Sequence, residues 1–182
     1  MTGPAVPRPD PGYAPLIVTA ELPPDVLAWA DDLRRAHFPP ERNLLRAHVT
    51  LFHALPPWLE DEARALLADL AAAPPPPATI ARILDLGSGT ALGIDCPAML
   101  DLRESIAERF HGLLTAQDSH GVRLHVTVQN KVERPAARAL QAQLVEHFRP
   151  RGFRFHGLGL HVYEGGPWRT VRTFAFRGRG PV

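Results

Sequence analysis

The sequence feature that most constrains the fold is an internal repeat. The string HVTL at 48–51 recurs as HVTV at 125–128, an offset of 77 residues. In each half a strand and a helix are predicted before this motif, at 15–35 and at 90–114, and another helix follows about ten residues after it. A match of several elements in the same order predicts two copies of a β-α-β-α-β unit, related by a pseudo-two-fold axis.

The repeat predicts one domain with two lobes. We place the domain at 14–176, with repeat units at about 14–89 and 90–176. The proline-rich residues 1–13 are predicted to be disordered, and residues 177–182 to form a C-terminal tail.

Glycine and proline separate the predicted elements. Gly87, Ser88 and Gly89 are expected to form a hairpin turn between strands at 79–86 and 90–95. The apolar run FRFHGLGLHVY at 153–163 is predicted to be one continuous strand, and the final strand is placed at 169–176.

Composition narrows the function classes. The chain has 182 residues, is 45% hydrophobic and carries a single cysteine, Cys96, which is typical of a globular protein without an internal disulfide. The sequence shows no secretory signal, and no stretch approaches the roughly 18 apolar residues of a membrane span. We therefore expect a cytoplasmic monomer with no membrane association and no obligate protein partner.

The net charge of +1 hides an asymmetry along the chain. Residues 121–182 carry 11 Lys and Arg against 3 Asp and Glu, whereas residues 1–120 carry 9 basic and 16 acidic residues. The basic segment could attract phosphate, or it could be an ordinary solvated surface.

Alternation along a strand places the polar residues of each motif on one face. His48, Thr50 and Phe52 share a face in the first copy, and His125, Thr127 and Gln129 do so in the second. The valines and leucine between them are expected to pack against helices, which leaves the His/Thr faces to line a groove.

Two histidines on opposite walls of a cleft can divide the roles of general acid and general base near neutral pH. The threonine hydroxyls at Thr50 and Thr127 are suited to hold the oxygens of a tetrahedral anion. This set of groups fits the cleavage of a phosphodiester without a metal. From the residues alone, either histidine could take either role.

The pair HVTLF at 48–52 and HVTVQ at 125–129 resembles the 2H phosphoesterase superfamily, specifically the bacterial 2'-5' RNA ligase-like and RNA 2',3'-cyclic phosphodiesterase proteins. The resemblance covers about residues 14–176. It implies a bilobal α+β fold with antiparallel sheets lining a central cleft. It further implies metal-independent hydrolysis of 2',3'-cyclic phosphate ends of RNA or nucleotides to 2'-phosphates, with no cofactor. His48 would protonate the departing 3'-oxygen, and His125 would activate water.

Five further residues are candidates for substrate binding. In a regular strand Phe52 faces the cleft and could stack on a base, and Gln129 could read a nucleotide edge. Arg46 and Arg123 each lie two residues before a motif histidine, on the same face, and are candidates for phosphate contact. Tyr163 could reach the cleft, or its ring could pack within a half-buried strand.

Other histidines do not favour a metal site. His156 and His161 are five residues apart in a predicted strand and therefore on opposite faces. His53, where many family members carry an aromatic residue, is expected to turn toward the core or to end its strand. Trp168, in a turn of the basic segment, could stack on a base.

Four other functions stay open, of which a metal-dependent hydrolase would lose its activity on chelation. The same site could run reversible 2'-5' ligation, or it could open another cyclic nucleotide phosphate. A different class of protein, which binds RNA ends or nucleotides without catalysis, could keep the paired motif for phosphate binding alone.

Overall fold

The computed structural model describes residues 13–180. Residues 1–12 of the segment predicted to be disordered, and residues 181–182 of the predicted tail, lie outside this range. Tyr13, at its first position, packs edge-on against Trp58. Arg177 donates its backbone N–H to the carbonyl of Ala71 at 2.9 Å, which attaches the start of the tail to the domain.

Eight strands and five α-helices form the described part of the chain. In chain order they are β1 (Leu16–Glu21), α1 (Pro24–His37), β2 (Val49–Leu55), α2 (Glu60–Leu70), β3 (Pro77–Asp85), β4 (Thr90–Asp95), α3 (Pro97–Arg109), α4 (Ala116–Ser119), β5 (His125–Gln129), α5 (Arg134–His147), β6 (Arg151–Arg154), β7 (Gly157–Tyr163) and β8 (Trp168–Ala175). Prolines in the first turns of α1, α3 and α5 match the preference of proline for helix starts.

The strands form two antiparallel sheets of four strands each. The first sheet has the order β2-β1-β7-β8 and the second has the order β5-β4-β3-β6. The predicted α+β fold with antiparallel sheets is confirmed. Each sheet takes strands from both sequence repeats, because β3 pairs with β4 and β7 pairs with β1. Each lobe of the structure is therefore built from parts of both sequence repeats.

The predicted single strand at 153–163 is wrong, because the chain changes sheets inside it. Residues Arg151–Arg154 form β6 at the edge of the second sheet, and Gly157–Tyr163 form β7 inside the first. At the crossing, Phe155 donates its N–H to Pro76, and His156 donates to the carbonyl of Glu21 at 2.8 Å. These two hydrogen bonds pair the backbone N–H groups of residues that lie between β6 and β7 and belong to neither strand.

The helices cover the sheets and close one hydrophobic core. Helix α1 packs against β5, and α5 packs against β3 and β4 of the same sheet. Helix α2 contacts β7 and β8 on the first sheet. The two motif strands, β2 and β5, are edge strands of their sheets and approach one another. Among residues 13–180, no helix combines the length and the apolar character needed to cross a membrane.

Candidate active site

The two motif histidines are held in the same way. His48 immediately precedes β2 and donates from Nδ1 to the carbonyl of Arg46 at 2.7 Å. His125 begins β5 and donates from Nδ1 to the carbonyl of Arg123, also at 2.7 Å. Because a carbonyl oxygen only accepts, each neutral ring must carry its proton on Nδ1. Nε2 of each imidazole is thereby left with a lone pair for chemistry.

The two motifs contribute to cavities between the lobes. His48 and Thr127 line one cavity of about 360 Å³, here called the phosphate cavity, together with Arg34, Lys131 and Tyr163. His125 and Arg123 line a smaller cavity of about 210 Å³. The charge that His125 can carry acts on His48, so the two imidazoles lie within electrostatic reach of one another.

Burial lowers the pKa of His48 from its ordinary value of 6.5 to about 4, because loss of water penalises the imidazolium. The hydrogen bond to the Arg46 carbonyl opposes this shift. The positive charges of Arg34, His161 and His125 add to it. His48 is consequently neutral at pH 7 in the ligand-free protein.

The predicted positions of Phe52 and Gln129 in the cleft are wrong, because both motif strands contain a β-bulge. Thr50 lies opposite Thr19, but Phe52 lies opposite the adjacent residue, Val18, so two residues of β2 face one of β1. The side chain after the bulge therefore turns inward. Phe52 is 0% exposed and lies beneath the guanidinium of Arg103.

The same irregularity recurs in the second repeat. Thr127 lies opposite Ala91, and Gln129 lies opposite the adjacent Thr90. Gln129 is buried and accepts a hydrogen bond from the Thr90 hydroxyl at 3.2 Å. The bulge reverses the alternation expected of a regular strand after each motif threonine, which periodicity alone does not reveal.

The bulge also changes the place of His53. Its side chain is exposed rather than turned toward the core, and Nδ1 lies 3.0 Å from Oδ1 of Asp118. The buried Asp118 carboxylate also accepts the backbone N–H groups of His53 and Ala54. Burial raises the pKa of Asp118, but these hydrogen bonds outweigh it and hold the pKa below its usual value.

The other predicted binding residues surround the motifs. Tyr163 is half-buried and lines the phosphate cavity. Arg46 and Arg123 are exposed and line separate cavities beside their own histidines. Arg46 is also paired with Asp31 at 2.9 Å. Thr50 is half-buried on β2.

Two buried arginines that the sequence analysis did not select connect the repeats reciprocally. Arg34 on α1 donates from Nη1 to the carbonyl of Thr127 at 2.8 Å, and Arg103 on α3 donates from Nε to the carbonyl of Leu51 at 3.2 Å. Each arginine thus positions the motif strand of the other repeat. Arg34 follows Ala30 by four residues on the buried face of α1, and this helical spacing was the available signal.

The first sheet also contains a polar cluster in which Thr19 and Glu21 were not predicted from the sequence. The Thr19 hydroxyl donates to Oε1 of Glu21 at 2.5 Å, and Thr19 Oγ1 lies 2.8 Å from Nε2 of His161. Trp168 packs between two imidazoles, with its ring centroid 4.6 Å from that of His48 and 5.6 Å from that of His161. Alternation in the strand LIVTAE places Thr19 and Glu21 on one face and was the missed signal.

Metal ligands do not cluster in the described residues. Between Tyr13 and Gly180, no group of three or more His, Cys, Asp or Glu side chains is arranged to hold an ion.

Comparisons with known proteins agree on the fold. TT0787 of Thermus thermophilus superposes with a TM-score of 0.62 at 17% identity, over 91% of this chain and 100% of that one. The E. coli LigT complex with NADP+ gives 0.57 at 16% identity, over 90% and 98%. A phosphoesterase crystal structure gives 0.56 at 18% identity, also over 90% and 98%. At these identities the likeness shows the fold.

Sequence comparison identifies the family. No curated protein gives a significant match. The profile of the 2'-5' RNA ligase superfamily, however, matches residues 22–167, which is most of the chain and includes both motifs. The resemblance expected from the paired HVT strings is thereby confirmed, and the chain belongs to the 2'-5' RNA ligase superfamily of 2H phosphoesterases.

Proposed function

We propose that the protein is a metal-independent phosphoesterase that hydrolyses 2',3'-cyclic phosphate termini of RNA or nucleotides to 2'-phosphates. The proposal rests on the equivalent hydrogen bonds that orient His48 and His125. Each ring is fixed through Nδ1 by a carbonyl of its own chain segment, and each keeps Nε2 for proton transfer. Acid/base catalysis needs positioned groups of this kind with pKa values that straddle the working pH.

The reaction requires two proton transfers, one from the attacking water and one to the departing oxygen. Water attacks phosphorus in line with the bond to the 3'-oxygen, and the base imidazole removes a proton from that water. The acid imidazole gives its proton to the departing 3'-oxygen. The products are a 3'-hydroxyl and a 2'-phosphate monoester. Thr50 and Thr127 would donate hydroxyl hydrogen bonds to the non-bridging oxygens.

The lowered pKa of His48 bears on which histidine is the base. The family resemblance implies that His48 is the acid and His125 the base. A pKa of about 4 instead leaves His48 neutral at pH 7, which is the form that accepts a proton. This observation favours the reverse order, with His48 as base and His125 as acid.

The phosphate cavity offers the charge that the substrate needs. Arg34, Arg42 and Lys131 line it together with Thr127. Solved structures of E. coli LigT contain ATP and 3'-AMP, so a protein of this fold holds nucleotides. Reversible 2'-5' ligation uses the same groups in the opposite direction and is the alternative that the superfamily name suggests.

The test is hydrolysis of 2',3'-cyclic nucleotides in EDTA. We expect turnover by the unaltered protein, and a loss of about 10²-fold or more in kcat for His48→Ala and for His125→Ala. His111→Ala is a matched control, since this histidine is exposed and lies outside both motifs. Absence of turnover, or equal rates in all four proteins, would contradict the proposal. Binding without turnover would indicate the non-catalytic alternative.

A further inference from the structure

A second cavity adjoins His48 on the side of the first sheet and is here called the base cavity. Its volume is about 310 Å³, and His48 and Trp168 line both it and the phosphate cavity. Much of its wall is apolar and comes from Leu22, Leu27, Leu44 and Leu45. An apolar slot of this kind is suited to a planar aromatic ring, with the indole of Trp168, which already packs against His48 and His161, at its edge.

The polar wall of the base cavity presents a carboxylate. Glu21 accepts from the Thr19 hydroxyl through Oε1, and His161 Nε2 in turn donates to Thr19 Oγ1. His161 Nδ1 lies 3.1 Å from the hydroxyl of Thr170, which completes the chain of polar contacts. Within residues 13–180, no hydrogen bond uses Oε2 of Glu21. One carboxylate oxygen is therefore held, and the other is available to a ligand.

Glu21 is ionised in this setting. Burial raises its pKa, but the nearby imidazole of His161 and the hydrogen bond from Thr19 outweigh burial and lower the pKa below 4.5. An ionised carboxylate accepts hydrogen bonds only, and it repels phosphate.

The fold keeps space for this carboxylate. Gly159 on β7 lies opposite Thr19, and a Cβ at this position would overlap Glu21 Oε1, Thr19 Oγ1 and His161 Nε2. A side chain at position 159 would therefore displace the ends of these three side chains, so Gly159 leaves room for the polar cluster. The Glu21 side chain is only partly exposed and is held in this cluster through Thr19.

We infer that the base cavity binds the nucleobase next to the reacting phosphate and that Glu21 makes it selective for guanine. Guanine offers two adjacent donors, N1–H and the N2 amino group, and both can reach the two lone pairs of Oε2 while Oε1 stays with the Thr19 hydroxyl. Adenine and cytosine offer one amino group beside an acceptor nitrogen, and uracil offers one N–H between two carbonyls. The inference rests on the proposed function, because it assigns the phosphate to the neighbouring cavity.

The placement of the two cavities supports this orientation. Arg34, Arg42 and Lys131 line the phosphate cavity, whereas the base cavity has the carboxylate of Glu21 and a single arginine, Arg46, which is paired with Asp31. His48, Trp168, Leu44 and Leu45 line both cavities, so a ribose placed beside them would direct its base one way and its cyclic phosphate the other.

The experiment compares kcat/KM for the four 2',3'-cyclic nucleotides in EDTA. We expect 2',3'-cyclic GMP to exceed each of the others by about 10-fold or more, because each of the other bases offers fewer donors to Oε2. Glu21→Gln replaces one acceptor oxygen with a donor and should reduce the rate for 2',3'-cyclic GMP to that of the others. Glu21→Asp, which keeps the charge on a shorter arm, should lose part of the preference.

The control is Glu164→Gln, because Glu164 is exposed on the turn before β8, where it pairs with Arg169. Equal rates for all four nucleotides in the unaltered protein would overturn the inference. An equal loss for all four in Glu21→Gln would do so as well, since it would mean that Glu21 only positions His48.

Binding of 3'-GMP and 3'-AMP, measured by calorimetry, separates this inference from the proposed function. One outcome is that neither nucleotide is cleaved in cyclic form, that 3'-GMP binds about 10-fold more tightly than 3'-AMP, and that Glu21→Gln removes this difference. That outcome would support guanine binding in the base cavity and contradict the proposed activity. If both cyclic forms are cleaved and the two nucleotides bind equally, the activity stands and the guanine inference fails.

Discussion

The half-buried imidazole of His48 should make the stability of the protein depend on pH in a way that one substitution removes. An unfolded chain protonates His48 near pH 6.5, whereas the folded protein does so at about 4. Between these values the unfolded state binds a proton that the folded state does not bind. The free energy of unfolding is thus highest above pH 6.5, and it decreases as the pH falls toward 4.

The size of the effect follows from the shift. Each pKa unit corresponds to about 1.4 kcal/mol, so at about pH 4.5 the His48 contribution reaches at most about 2.5 kcal/mol relative to neutral pH. His48→Gln removes the titration but keeps an N–H that can reach the Arg46 carbonyl. Urea unfolding of both proteins between about pH 7.5 and about pH 4.5 measures the difference directly.

We expect the unaltered protein to lose about 1.5 to 2.5 kcal/mol more than His48→Gln over this range, while contributions from the other histidines cancel. Parallel losses in the two proteins would refute the lowered pKa of His48 in the folded protein. They would also remove the reason for assigning it the role of base.

Three more predictions test other parts of the structure. Phe52→Ala should lower the free energy of unfolding by about 3 to 5 kcal/mol, as measured with urea, whereas a cleft-facing ring would cost little. Arg34→Met leaves the Thr127 carbonyl without the hydrogen bond from Arg34 and should lower the free energy of unfolding by about 1 to 3 kcal/mol. It should also reduce kcat more than it raises KM; an unchanged kcat would mean that Arg34 does not position the second motif strand for catalysis. An aryl phosphodiester needs no acid, so His125→Ala should retain activity on it and His48→Ala should not; the opposite result would restore the order implied by the family resemblance.

The order of the elements could be predicted from the sequence because its signals are local. Prolines at 97 and 135 mark the starts of α3 and α5 within one residue, and Gly87–Gly89 form the turn between β3 and β4. The repeat of HVT with its flanking elements was sufficient to identify both motif strands and their histidines.

Features that depend on tertiary pairing could not be predicted. The two bulges that bury Phe52 and Gln129 are visible only in the pairing of each motif strand with its neighbour. The run at 153–163 has β-type residues throughout, so composition shows no sign that the chain leaves one sheet for the other near His156. The burial of Arg34 depends on the Thr127 carbonyl of the other repeat, because arginine is rarely enclosed without such an acceptor.

The central claim is that His48 and His125 act on one phosphate, and a crystal structure with a nucleotide 2'-phosphate product tests it most directly. We expect a single phosphate with oxygens about 3 Å from Nε2 of both histidines, and the base beside Trp168. A phosphate bound to only one of the two imidazoles, or separate phosphates in separate cavities, would contradict the claim.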